Sequence, residues 1–166
     1  MKKILAIDLG RNWMRWAITS ECLDVVKSGK LEVMSVEDRN AFFSPLIELS
    51  QIYKNEVEGI ALTMPGIIDT EKGIAYSGGV YTWVRNEPLA EKIKNVTGLK
   101  TIILNDAKSA ALAEIGYGSL KKVEHGVMLM ILGTGIGGAI IHDGKIFNGA
   151  HFGAGELSYM TDCYQR

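Results

Sequence analysis

Glycine and acidic residues cluster where the short apolar runs of this sequence stop, and that punctuation constrains the fold more than any other feature. The clusters are Asp8-Leu9-Gly10, Asn105-Asp106, Gly133-Thr134-Gly135-Ile136-Gly137-Gly138 and Gly153-Ala154-Gly155-Glu156. Open α/β sheets place ligand sites outside the ends of their strands, where backbone turns and acids can meet a bound group. The pattern therefore predicts an α/β protein whose chemistry sits at strand ends.

Residues 3–9, 13–19 and 24–34 read as three strands in a meander, with a polar turn at Ser20-Glu21. From Ser35 to Tyr53 the apolar positions Phe42, Phe43, Leu46, Ile47, Leu49 and Ile52 recur near helical spacing, and Pro45 predicts a late start for that helix. A strand over 57–63 stops at Met64-Pro65-Gly66, and a loop with a second turn at 69–73 follows. Pro88 suits the first turn of a helix over 87–96 that Gly98 can close, before a strand over 100–104. Asn105-Asp106 then caps a helix through Ile115. After Gly116-Tyr117-Gly118 a fresh meander begins, with strands over 126–132 and 139–142 and a turn at Asp143-Gly144 into Lys145-Ile146-Phe147. This order predicts one α/β lobe over 1–118 and the incomplete start of a second over 119–166.

With 18 basic and 19 acidic residues the net charge is −1, which offers no general attraction to nucleic acid or to an anionic membrane. Polar residues or glycine clusters break every apolar stretch before the roughly 20 residues needed to cross a bilayer. The amino terminus lacks a small-residue cleavage site, and Cys22 and Cys163 match no metal or redox spacing. These features predict a cytoplasmic protein with reduced thiols.

The run at 133–138 can bring backbone N–H groups close to a phosphate, and Thr134 adds a hydroxyl. No Gly-Lys-Ser or Gly-Lys-Thr follows, so it is not a Walker loop. A hairpin turn crowded against another backbone would use the same glycines. Asp106 follows a buried strand and opens a helix, where the dipole favours an ionised carboxylate able to accept a proton from an attacking hydroxyl. Simple helix capping would select the same residue. Asp8 could reach a magnesium ion through water or merely end a strand. Glu156 could accept hydrogen bonds from sugar hydroxyls or remain a solvated loop acid. No serine lies in a nucleophile elbow, whereas phosphoryl transfer asks mainly for positioning and charge.

In order, Thr63-Met64-Pro65-Gly66-Ile67-Ile68-Asp69, Leu104-Asn105-Asp106-Ala107-Lys108-Ser109-Ala110-Ala111-Leu112-Ala113-Glu114, the run 132–138 followed by Asp143-Gly144-Lys145, and Gly153-Ala154-Gly155-Glu156-Leu157-Ser158 resemble the ROK family of repressors, open reading frames and kinases. The likeness covers nearly the whole chain. It implies an actin-like, ribonuclease H-like lobe with a mixed sheet and the beginning of a second similar lobe, with ATP and a sugar bound between the lobes. Asp106 would be the catalytic base of a hexose or amino-sugar kinase. Gly78, Gly79, Asn105 and Glu156 would face the sugar. Asp8, Gly10, Thr134 and Gly135 would lie by the phosphates of ATP and Mg2+, with Asp8 reaching the metal through water. The family's repressors carry a DNA-binding module before the first strand, whereas here that strand starts at Lys3, which points to the kinase branch.

Three departures accompany the likeness. Asp8-Leu9-Gly10-Arg11-Asn12 stands where the family usually reads Asp, any residue, Gly, Gly, Thr. Tyr159 replaces a histidine that in many members holds a structural zinc, so the zinc loses that ligand here. Arg166 precedes the cysteine-rich motif and the adenine pocket, so this chain alone is not expected to assemble a complete ATP site. These departures open a second reading, a non-catalytic sugar-binding or regulatory relative. A third follows if the gene itself stops here: a half-built lobe would then be covered by homodimerisation.

Overall fold

The computed structural model describes residues 2–123, 126–133 and 135–159. They fall into two compact units, Met1–Asn105 and Asp106–Arg166.

The first unit begins with strands β1 (Lys3–Leu9), β2 (Trp13–Ser20) and β3 (Val25–Glu32), the expected meander. Helix α1 (Arg39–Tyr53) leads to β4 (Gly59–Met64). Three short strands follow, β5 (Ile68–Asp69), β6 (Ile74–Ser77) and β7 (Arg85–Glu87), and then helix α2 (Leu89–Thr97) and strand β8 (Lys100–Asn105). The main sheet has the order β3-β2-β1-β4-β8. It is mixed: β1 runs antiparallel to β2 and parallel to β4, which is parallel to β8. Alternation along β1 sends Leu5, Ile7 and Leu9 to a buried face, where Ile60, Leu62 and Met64 of β4 and Ile103 of β8 join them in one core. Phe42, Leu46 and Leu49 of α1 and Leu89 and Ile93 of α2 complete that core.

Pro45 does not delay α1. The helix begins at Arg39 and passes through the proline, which cannot donate to the carbonyl four residues earlier. Fully buried Phe42 and Leu46 flank it, and their packing outweighs the one missing hydrogen bond. The carboxylate of Asp38 caps the helix by accepting the Asn40 N–H at 2.8 Å. An Asp38→Ala variant is expected to lose about 1 kcal/mol of stability, read as a lower urea midpoint at unchanged slope.

The segment between β4 and α2 holds more order than the loop expected there. Strands β5, β6 and β7 form a small antiparallel sheet in which Ile68 pairs with Ala75 and Ser77 with Arg85. Runs of two to four residues are too short for hydrophobic alternation to reveal. Glu87 accordingly ends β7 instead of opening α2, and Gly98 closes α2 as expected by donating its N–H to Lys94 O at 2.7 Å.

The second unit contains helix α3 (Asp106–Tyr117) and strands β9 (Val127–Leu132), β10 (Ile136–His142) and β11 (Lys145–Phe147), in the sheet order β11-β10-β9. Helix α3 packs on β10 and β11 within this unit. Strand β10 starts at Ile136, earlier than the expected 139, because Gly137 and Gly138 pair with Ile131 and Met130. Among the described residues no helix is long and apolar enough to cross a membrane.

Candidate functional site

In the first unit the parallel strands β1, β4 and β8 end side by side, with Asp8 opposite Thr63 and Met64 opposite Asn105. Thr63 donates its hydroxyl to Asp8 Oδ1 at 3.0 Å, while the Arg15 guanidinium, paired across β2, donates to Oδ2 at 3.3 Å. The carboxylate stays half exposed and keeps acceptor capacity beyond these two bonds. Gly10 forms a tight turn beyond it, donating to Trp13 O at 2.9 Å and accepting from the phenol of Tyr81 at 2.7 Å. Burial of that phenol, and then the charge of Asp8, push its proton affinity well above the usual tyrosine range.

Asn105 is buried at the end of β8, and its Nδ2 donates to Gly66 O at 2.9 Å. The Pro65-Gly66 turn in turn lies against Gly78 and Gly79. Of the four residues expected to face the sugar, Asn105, Gly78 and Gly79 are gathered around one loop of this unit, and Asp8 and Gly10 lie at the end of β1 and the turn after it.

In the second unit Asp106 opens α3 and its Oδ1 accepts the Ala107 N–H at 2.8 Å. Two residues on, Lys108 is almost wholly buried. Its ammonium donates to Phe152 O at 2.7 Å and to Asn148 Oδ1 at 3.1 Å, tying the helix to the loop that carries Glu156. That loop also presses onto β10: a Cβ on Gly138 would lie 2.6 Å from Leu157 Cδ1 and 2.7 Å from Gly155 O. Part of the 133–138 run therefore does serve close backbone approach. At Gly135, by contrast, a Cβ would meet nothing within 4 Å.

Charge links the three side chains of this unit. Burial raises the proton affinity of half-buried Glu156, the Lys108 ammonium opposes that rise and the Asp106 carboxylate adds to it. Burial lowers the proton affinity of Lys108, and Glu156 opposes the fall. Because Glu156 is raised, the folded chain holds a proton that the unfolded chain has already released. Its contribution to stability therefore falls as pH rises upward from the ordinary glutamate range. A Glu156→Gln variant is expected to flatten that limb of the stability profile, measured by urea denaturation across pH.

Thr134 lies outside the described residues. Among those described, no group of three or more His, Cys, Asp and Glu gathers as a metal site. The residue pattern did not single out Arg15, Thr63, Tyr81 or Lys108. Strand register reveals the first two, and a lysine among the alanines of α3 was the available signal for the last.

The chain matches the ROK family over residues 4–161. It is 30% identical over 158 residues to the β-glucoside kinase of Listeria monocytogenes, covering 95% of this chain and 53% of that protein. The chain spans about half the length of the β-glucoside kinases it matches. Among solved structures it superposes with TM-score 0.84 and 29% identity on Lmo2764 of L. monocytogenes, a candidate N-acetylmannosamine kinase, covering 95% of this chain and 53% of the other. It also superposes with TM-score 0.79 and 29% identity on a ROK family transcriptional regulator, a homologue of the E. coli MLC protein, covering 93% of this chain and 40% of the other. The matched family, the mixed α/β sheet and these superpositions agree on an actin-like fold. This chain belongs to the ROK family.

Proposed function

We propose that this chain is the amino-terminal portion of an ATP-dependent kinase that phosphorylates a hexose or amino-sugar hydroxyl. The observation that carries the proposal is the charged trio of the second unit, in which a buried ammonium holds the loop bearing Glu156 beside the helix opened by Asp106. One acid accepts a proton and the other accepts hydrogen bonds from sugar hydroxyls. In the reaction Asp106 takes the proton of the attacking hydroxyl as its oxygen bonds to the γ-phosphorus, and the bond from that phosphorus to the bridging oxygen breaks to release ADP.

In this reading Asn105, Gly78 and Gly79 act as sugar-binding residues, and Asp8, Gly10, Thr134 and Gly135 as phosphate-binding ones. A half-exposed Asp8 with acceptor capacity to spare suits a magnesium ion held through water. Such an ion would neutralise charge on the phosphates. The kinase names of relatives, which include β-glucoside, N-acetylmannosamine and N-acetyl-D-glucosamine kinases, support a sugar substrate. The same reading keeps a first lobe running through residue 118 and a homodimeric assembly. Measuring ADP release by the full-length protein across a sugar panel tests it, and no sugar-dependent release would overturn it.

A second reading is a sugar-binding regulator without catalysis. The likeness to a ROK transcriptional regulator favours it, together with Arg11 and Asn12 in the turn after β1 and with Tyr159. Titration calorimetry separates the two readings: sugar binding without nucleotide binding in the full-length protein supports the regulator.

A further inference from the structure

Tyr81 is the largest side chain buried without exposure in the first unit, and its hydroxyl reaches back 71 residues to the carbonyl of Gly10. A buried phenol needs an acceptor, and this one finds it in the turn after β1 instead of in its own loop. Its ring is held edge-on by Phe42 at 5.7 Å between centroids. Its backbone is held as well: Tyr81 N–H donates to Gly78 O at 3.1 Å, and Val84 N–H donates to Tyr81 O at 3.0 Å. A Cβ on Gly78 would lie 2.7 Å from that same Tyr81 oxygen, so the 78–84 segment is folded tightly on itself.

We infer that Tyr81 is a positioning residue that joins the turn carrying Asp8 and Gly10 to the loop carrying Gly78 and Gly79, so that ordering one orders the other. The inference rests on the proposed function, in which the turn faces phosphate and the loop faces sugar. The connection runs through named bonds: Asn105 to Gly66, the Pro65-Gly66 turn against Gly78 and Gly79, Tyr81 to Gly10, and Gly10 to Trp13. Each ligand would then bind a first unit partly ordered by the other, which is positive coupling between two sites.

Affinities of sugar and of a non-hydrolysable ATP analogue, each measured with and without the other on the full-length protein, test the inference. Tyr81→Phe removes only the hydroxyl and keeps the ring against Phe42. It is expected to shrink the coupling factor about fivefold, the equivalent of one hydrogen bond, while each affinity measured alone moves less. Thr82→Ala, an exposed neighbour in the same loop, is expected to leave the factor unchanged. An unchanged factor in Tyr81→Phe, an equal loss in Thr82→Ala, or no coupling in the unaltered protein overturns the inference and leaves the kinase reading standing. Failure of the unaltered protein to bind either ligand overturns both.

Discussion

Replacing Asp106 by Asn in the full-length protein is expected to lower kcat by a factor of about 10² to 10⁴ while the KM for sugar changes little. The substitution is close to isosteric. An amide oxygen can still accept the Ala107 N–H that Asp106 Oδ1 takes at 2.8 Å, so the first turn of α3 stays capped. What is lost is the negative charge, and with it the capacity to take a proton. Capping and catalysis are therefore separated: if Asp106 merely caps, the Asn variant keeps both its rate and its melting temperature. If Asp106 is the base, the rate collapses while the melting temperature holds. A variant with full activity would remove the assigned base and, with it, the central step of the proposed mechanism.

The largest expected loss of stability comes from Gly66→Ala, at about 3–5 kcal/mol, a sum of backbone strain and overpacking. Gly66 sits at φ 114°, a conformation that side-chain-bearing residues rarely adopt. A Cβ there would fall 2.1 Å from Ser77 O and 2.9 Å from the Cα of Gly78. Both are backbone atoms of a segment that is itself held, since Ile67 N–H donates to Ser77 Oγ at 3.0 Å and Gly66 O accepts from Asn105. Nothing flexible can yield, so the turn, the β5–β6 hairpin and the anchor of Asn105 must shift together. Urea denaturation measures the effect, and a variant within about 1 kcal/mol of the parent would show that the turn relaxes freely.

Both predictions concern residues visible in the sequence, yet for different reasons. Asp106 is legible because strand, asparagine, aspartate and an alanine-rich helix follow one another along the chain, which is local order. Gly66 is legible as a turn residue beside Pro65. What it touches is not, because Ser77 and Gly78 arrive by way of strands too short to carry a periodic signal. A different limit hid Lys108. A lysine in a helix ordinarily reads as solvent-facing, and only the fold of the 148–156 loop supplies the carbonyl and amide oxygens that make its burial tolerable.

Sequence alone determined the order of the principal strands and helices, the strand ends at which acids and glycines collect, and the family, since all of these depend on neighbours along the chain. Tertiary structure decided that Arg15 and Thr63 grip Asp8, that Lys108 stands between α3 and the Glu156 loop, and that Tyr81 closes on Gly10. Those pairings join residues up to 71 positions apart. They are set by strand register and by the need of buried polar groups for partners, and neither leaves a periodic mark in the chain.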